Sequence, residues 1–280
     1  MDFLRRQHAP IAAASWKLID EQAREVLSAN FSARKLVSVS GPHGPTHAAV
    51  NLGRLVPHAT AAGDGVFYGV REVLPLVEVR VPFALDLWQL DDVVRGARDP
   101  DLGPLVTAAG KLVAFEEHAI YEGLPSAGII GMAPASRHAV VVLPRETTGW
   151  AELIAQASIA LQRSGVKAPY ALVTGPEVFR TIEHHTGQYP LHKQIEALIG
   201  GSIVLAPYVD GAFLLAADAT RDFELVLGQD VSIGFEQQQG QALKLYLTES
   251  FTFRVLEPQA AVAFACTAQT AEARHAGQEL

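Results

Sequence analysis

The sequence has 280 residues, and 49% of them are hydrophobic, so the chain either encloses a large core or buries surface against partners. The formal net charge of −8, without a cluster of lysines or arginines, argues against a nucleic-acid partner, and no apolar run is long enough to span a membrane. The single cysteine, Cys266, excludes an internal disulfide. The first residues lack the apolar stretch of a signal peptide, so we expect a cytoplasmic protein.

The N-terminal part predicts one helix and one short strand. Apolar residues recur at helical spacing from Ser15 to Ala29, and we expect Ser15 to cap this helix. Val37–Val39 is a strand candidate, and the Gly- and Pro-rich residues 40–45 end it in a turn.

Residues 47–76 predict a long, thin hairpin whose tip lies at 59–65. Its arms, 52–56 and 66–70, offer few large apolar residues with which to build a core. Because a two-stranded hairpin is only marginally stable by itself, it must pack on something else. We expect another copy of the chain to supply that surface.

A strand and a helix follow the hairpin. Apolar and polar residues alternate from Val77 to Leu87, and Pro82 within this run indicates an edge strand or an interrupted ladder. Residues 100–121 predict a helix with one apolar stripe. Glu116 falls on that stripe, so we expect it to be a buried or interface carboxylate with a basic partner.

The second half predicts a mixture of helices and strands, which makes the chain α+β with a projecting arm. The expected helices are 148–162 and two short pieces that flank residues 186–190. The expected strands are 170–173, 203–205, 212–216, 223–227 and 243–255. The Ala-rich, polar tail from 267 is expected to be disordered.

No group of residues indicates catalysis or a metal site. His184 and His185, with Glu183 and His192 nearby, are adjacent on a helix and point about 100° apart, which makes it hard for them to share one ion. Serine hydrolase, phosphate-loop and dinucleotide motifs are absent, and no nucleophile with its base stands out. We therefore expect neither catalytic nor metal-binding residues.

Several segments resemble the encapsulin family, the linocin-like family 1 of bacterial shell proteins that share the fold of HK97-type phage capsids. The resemblance runs in order from residue 1 to about residue 264. The segments that carry it are 1–11, 16–24, 33–44, 74–80, 83–91, 187–191, 227–235 and 247–253. The most specific is 227–235, Leu-Gly-Gln-Asp-Val-Ser-Ile-Gly-Phe.

The resemblance implies an HK97-type capsid fold and an icosahedral shell, T=1 with 60 identical subunits. Residues 1–46 would form the N-terminal helix and arm, and 47–76 the extended loop. The peripheral domain would comprise 77–125 and 223–264, and the axial domain 126–222. Residues 265–280 would form a tail inside the shell.

The resemblance also implies functional residues. The five-fold pore loop would contain His184, His185, Gly187, Gln188 and Tyr189, and the histidines predict a pH-sensitive pore.

A cargo protein would dock through its C-terminal targeting peptide. Arg34 and Leu27 would hold that peptide, while Ser38 stands where some relatives carry an aspartate. The cargo would be a dye-decolourising peroxidase or a ferritin-like iron oxidase.

Trp88 and Tyr189 could stack on a flavin, although no cofactor is required. A Trp at such a position also suits packing at a domain or subunit junction, which is the interpretation we favour. Two alternatives to the encapsulin shell remain open: a prophage-derived HK97-type major capsid protein and a stand-alone hydrolase.

Overall fold

The structure, a computed structural model, describes residues 3–57, 66–185 and 189–266. The helices are α1 (Ala13–Asn30), α2 (Leu87–Arg95), α3 (Gly103–Tyr121), α4 (Met132–Ala135), α5 (Trp150–Arg163), α6 (Pro176–Glu183) and α7 (Leu191–Ile199). The strands are β1 (Val37–Ser40), β2 (Ala49–Pro57), β3 (Gly69–Pro75), β4 (Val77–Asp86), β5 (Val141–Leu143), β6 (Tyr170–Thr174), β7 (Ile203–Leu205), β8 (Ala212–Ala216), β9 (Ala219–Gln239), β10 (Ala242–Val255) and β11 (Ala261–Cys266).

One sheet has four strands in the order β1-β9-β10-β4. Strand β10 pairs antiparallel with both β9 and β4, whereas β1 runs parallel to the start of β9. The strand β4 lies at the edge of this sheet, as Pro82 predicts. Its alternating Phe83 and Leu85 are buried in the same apolar cluster as Leu105 and Leu112 of α3.

The second sheet has five strands in the order β5-β11-β8-β6-β7. Every residue of β6 and β8 is buried, which explains why these strands read as continuous apolar runs rather than alternating ones. Helices α5, α6 and α7 pack against this part of the molecule through apolar faces that include Ile154, Val178 and Ile195.

Helix α3 spans the two apolar clusters. Its residues Leu105, Leu112 and Val113 belong to the cluster that includes α1, and its end, Ile120 and Tyr121, belongs to the cluster of the five-stranded sheet. The apolar stripe predicted for this helix is fully buried. Helix α3 therefore connects the two apolar clusters.

Strands β2 and β3 form a separate antiparallel pair that joins neither of the larger sheets. Val56 and Val70 lie directly opposite each other in this pair, and both are about half exposed. The structure thus contains both arms of the hairpin predicted for 47–76. Its predicted tip, 59–65, lies outside the described residues.

The structure differs from the sequence analysis at several places. Ser15 does not cap α1; it lies inside the helix, is buried, and its Oγ donates a hydrogen bond to the carbonyl of Leu90 at 2.8 Å. Helix α2 begins at Leu87, where Asp86 accepts hydrogen bonds from two backbone N–H groups and ends the strand pattern. Strand β11, which was not predicted, pairs with β8 and β5, so Ala261–Cys266 belongs to the five-stranded sheet.

We predict that Leu112→Ala destabilises the subunit by about 2–5 kcal/mol, because Leu112 is fully buried between α3 and the four-stranded sheet. The matched control is Val106→Ala on the same helix, whose side chain is 40% exposed and should change stability by less than about 0.5 kcal/mol. Urea unfolding followed by tryptophan fluorescence measures both. Equal losses in the two variants would contradict this account of the core.

Candidate functional site

A buried ionic network surrounds Arg34, which lies in the short helical turn Ala33–Lys35 after α1. Its Nε donates to Glu116 on α3 at 2.8 Å, its Nη1 to Asp230 on β9 at 2.8 Å, and its Nη2 to Glu249 on β10 at 2.9 Å. The guanidinium also lies over the ring of Phe31, 4.0 Å from the ring centre. One side chain thereby joins three other elements, and the basic partner predicted for Glu116 is confirmed.

The network contains more buried negative than positive charge. Glu116 and Glu249 are fully buried, and Arg34 is their one cationic partner among the described residues. Burial would lower the pKa of Arg34, but the hydrogen bond and charge of Glu116 outweigh it and raise that pKa.

The surroundings of Glu249, unlike those of Arg34, favour its uncharged form. Burial, together with repulsion from Glu116, raises the pKa of Glu249 well above its usual value. Its Oε1 is buried without a hydrogen-bond partner among the described residues. The network therefore favours a proton on this carboxyl group.

Glu117, next to Glu116 on α3, binds the backbone at the start of the same turn. Its Oε1 accepts hydrogen bonds from the backbone N–H groups of Ser32 and Ala33, each at 3.0 Å, and its Oε2 contacts the Ser32 hydroxyl. That hydroxyl lies 2.9 Å from the phenol oxygen of Tyr121. Burial raises the pKa of Glu117 to about 7, against the hydrogen bonds from Ser32 and Ala33 that lower it.

We predict that Glu117→Gln flattens the pH dependence of subunit stability. The pKa of Glu117 is higher in the folded chain, about 7, than its ordinary value of 4.5, so the folded state holds the proton more tightly. The stabilisation is complete below pH 4.5 and is lost as the pH rises through 7, by about 3 kcal/mol in total. Glutamine does not titrate. The unfolding free energy of the variant, measured from pH 5 to 8, should therefore fall less with rising pH than that of the original protein.

The matched control for this prediction is Glu152→Gln, at an exposed position of α5. It should keep the slope of the original protein over the same pH range. If Glu117→Gln kept that slope too, Glu117 would not be the group responsible.

A cavity of about 630 Å³ opens beside this network, between α1, the Ala33–Lys35 turn and β9. Leu27 and Arg34, both predicted from sequence to hold a docking peptide, line it together. Ser38 does not line the cavity; it lies on β1, in register with Glu224 of β9. The structure therefore brings two of these three predicted residues together.

The predicted pore-loop residues lie between α6 and α7. His184 and His185 follow the last residue of α6, and Tyr189 precedes α7, while Gly187 and Gln188 fall outside the described residues. His185 Nδ1 lies 2.7 Å from the hydroxyl of Thr147. A shallow pocket at this end of the subunit is lined by Arg145, Glu146, Thr147, Thr148, Arg180, Thr181, His184 and His185.

Metal ligands and membrane-spanning segments were also sought. Over residues 3–57, 66–185 and 189–266, no three His, Cys, Asp or Glu side chains are grouped so that they could hold a metal ion. His192 instead lies 3.9 Å from Glu183. In the same ranges, no helix is both long and apolar enough to cross a membrane.

Trp88 and Tyr189, the two aromatic residues predicted to stack on a flavin, lie on different parts of the subunit. Trp88 stands in the first turn of α2, next to the four-stranded sheet, and is 63% exposed. Tyr189 lies just before α7, on the five-stranded side, and is also exposed. Within the described chain, no ring contact joins them.

Comparison with known proteins identifies the family. Residues 1–252 match the Linocin_M18 family, described as "Encapsulating protein for peroxidase". The type 1 encapsulin shell protein of Rhodococcus erythropolis is 38% identical over 266 residues, which cover 95% of this chain and all of that protein. The corresponding protein of Rhodospirillum rubrum is 39% identical over 269 residues, covering 94% of this chain and 96% of that one.

The chain belongs to the encapsulin family. Its relatives are structural shell proteins, so the prediction of a shell subunit rather than an enzyme is confirmed. Solved structures confirm the predicted capsid fold. The virus-like particle of Pyrococcus furiosus aligns with a TM-score of 0.59 at 16% identity, covering 89% of this encapsulin chain and 98% of the other. A chain of Mycobacterium phage Bobi aligns with a TM-score of 0.55 at 15% identity, covering 84% and 89%.

Sequence reasoning found Arg34 and Glu116 separately but did not predict that they bind each other. They are 82 residues apart, and only the tertiary fold brings them together. Glu117, Glu249 and Asp230 were not predicted as parts of one site. The one signal available for Glu116 was a carboxylate on an apolar stripe. For Asp230 and Glu249 the signal was the family-like segments in which they lie, and Glu117 lies in none of those segments.

Proposed function

We propose that this chain assembles into a closed icosahedral shell of 60 copies that encloses a peroxidase in the bacterial cytoplasm. The observation that carries the proposal is the match of residues 1–252 to a family described as encapsulating a peroxidase. The shell would act by confinement: it separates the cargo reaction from the cell and admits small solutes through its pores. A ferritin-like iron oxidase is the alternative cargo.

The hairpin supports assembly from many copies. Its two strands pair with each other, join neither larger sheet, and expose apolar side chains on both arms. Water-exposed apolar residues of this kind gain free energy when another surface covers them. Repetition of such a contact around a closed symmetric particle would add a modest energy per subunit to a stable whole.

We predict that Val70→Asp on β3 prevents shell formation. Val70 is 55% exposed on the hairpin, and a charge there would have to be buried without a partner when a neighbouring copy covers it. Size-exclusion chromatography and negative-stain microscopy should show uniform hollow particles for the original chain and small species for the variant.

The matched control for assembly is Val94→Asp on α2, outside the hairpin, where the valine is 58% exposed. This variant should still form particles. Particles of normal size and yield from Val70→Asp would show that the hairpin does not hold the copies together.

The cargo can be identified from particles purified from the native bacterium. A haem peroxidase cargo would carry haem absorbance through size-exclusion chromatography in the particle fraction, whereas a ferritin-like cargo would bring iron without haem. Particles filled with DNA would support the viral capsid alternative and contradict the proposal. A cryo-EM reconstruction would give the number of subunits in the particle. Any number other than 60 would contradict the proposed 60-copy shell.

We further propose that His184, His185, Gly187, Gln188 and Tyr189 line the channel at the five-fold axis. The support is the position of His184, His185 and Tyr189 between α6 and α7, where copies related by a symmetry axis would bring polar side chains into a ring. Leu27 and Arg34 belong to the proposed docking site for the cargo's targeting peptide, because both line the cavity beside α1.

A further inference from the structure

A polar pocket lies between the loop that follows β5 and the C-terminal end of α6. Its volume is about 460 Å³. Its wall carries the arginines Arg145 and Arg180, the histidines His184 and His185, three threonines and Glu146. Of the described side chains in this wall, all but that of Glu146 can donate a hydrogen bond. The pocket is therefore rich in donors and poor in acceptors.

The two arginines of this pocket are not neutralised by the chain. Within the described part of the sequence, neither Arg145 nor Arg180 forms an ion pair or a side-chain hydrogen bond, and both are exposed. By contrast, Arg6, Arg34 and Arg254 are each held by a carboxylate. The guanidinium groups of the pocket are thus available to a ligand.

The nearby acids do not cancel the charge of these arginines. Among the described residues, Glu146 is the one acid that lines the pocket. Glu183, at the end of α6, does not line it and lies 3.9 Å from His192. Residues 186–188, outside the described ranges, are Thr, Gly and Gln and add no charge. Two positive charges therefore face one negative charge, on a chain whose net charge is −8.

Hydrogen bonds hold the loop that carries Arg145 in place. The indole Nε1 of the buried Trp150 donates to the carbonyl of Pro144 at 3.0 Å, and the N–H of Trp150 donates to the carbonyl of Thr147 at 3.1 Å. The hydroxyl of Thr147 lies 2.7 Å from Nδ1 of His185, just after α6. When this hydroxyl is the donor, the imidazole carries its proton on Nε2 and keeps one donor for another group. A ligand that enters a pocket held in this way orders little new structure.

The donor set of this pocket suits a phosphate group. Phosphate presents several oxygen acceptors and about two negative charges at neutral pH. Planar guanidinium groups bind such oxygens two at a time, and hydroxyl and imidazole donors can bind the remaining ones. Metal cations are disfavoured, because the two arginines repel them. A volume of about 460 Å³ also leaves room for a small organic group on the phosphate.

We propose that the pocket between residues 145–148 and the end of α6 binds a phosphate group through Arg145 and Arg180. The ligand is inorganic phosphate or a small phosphate monoester. The pocket is formed within one chain, so this proposal goes beyond the proposed shell and does not depend on it. It gives the chain a small-molecule site next to the residues proposed for the five-fold channel.

The test is isothermal titration calorimetry of the full-length chain with inorganic phosphate, in a phosphate-free buffer whose ionic strength is held constant with sodium chloride. We expect saturable binding of one phosphate per chain. Arg145→Gln and Arg180→Gln should each weaken this binding about tenfold, because each removes charge-assisted hydrogen bonds. Titration with glucose 6-phosphate in the same buffer distinguishes the two sources of phosphate. Tighter binding of the ester would assign a monoester as the ligand, and equal or weaker binding would assign the free ion.

The matched control is Arg163→Gln at the end of α5. Arg163 is exposed, lies outside the pocket and, within the described ranges, has no acidic partner. This variant should bind phosphate as the original chain does. Glu146→Gln removes the acid of the pocket and should strengthen binding about threefold, because the phosphate then meets no like charge there. A gain in affinity cannot result from damage to the fold.

Three outcomes would overturn the proposal. The first is that neither phosphate nor the ester binds in a saturable way. The second is that Arg163→Gln loses as much affinity as the two pocket variants, which would indicate attraction by general surface charge. The third is that Arg145→Gln and Arg180→Gln unfold at the same temperature as the original chain and bind phosphate with unchanged affinity.

Discussion

The contact on which the subunit depends is the pairing of one arginine with buried carboxylates. Arg34 connects the turn after α1 to Glu116 on α3 and to Glu249 on β10, both of which are fully buried. Removing such charges from water is costly, and breaking a buried pair leaves the remaining charge uncompensated. Separating these elements would therefore be costly. Glu117 reinforces it by accepting hydrogen bonds from the backbone of the same turn.

A local irregularity in the sheet makes this network possible. Along β9 and β10, Ser232 opposes Thr248 and Gln229 opposes Ser250, so two residues of β9, Asp230 and Val231, share the single place opposite Glu249. Such a bulge turns side chains away from the regular pleat. Here the N–H of Val231 donates to the Asp230 carboxylate at 2.8 Å, and that carboxylate also reaches Arg34. The bulge thus places a carboxylate at the cavity wall.

Sequence patterns predicted the parts of the fold that have strong periodicity. The alternation from Val77 and the apolar stripe of α3 were sufficient to place β4 and the long helix, and the resemblance gave the capsid fold. The short strands β5 and β11 were missed because brief apolar runs carry no period that separates strand from loop. The site was predicted only in fragments, since its members come from four elements far apart in sequence. No local pattern shows that Arg34 is held by Glu116.

The hairpin and the cavity beside α1 differ in how firmly the rest of the chain holds them. The strands β2 and β3 of the hairpin pair only with each other among the described strands, and their half-exposed Val56 and Val70 can meet a surface outside the chain. The cavity beside α1 is framed instead by rigid elements that Arg34 fixes to α3, which itself runs between the two apolar clusters. A pocket with fixed walls loses little conformational entropy when a peptide enters it. Because Glu116 and Glu249 hold Arg34 in place, the part of the cavity wall that Arg34 forms is fixed as well.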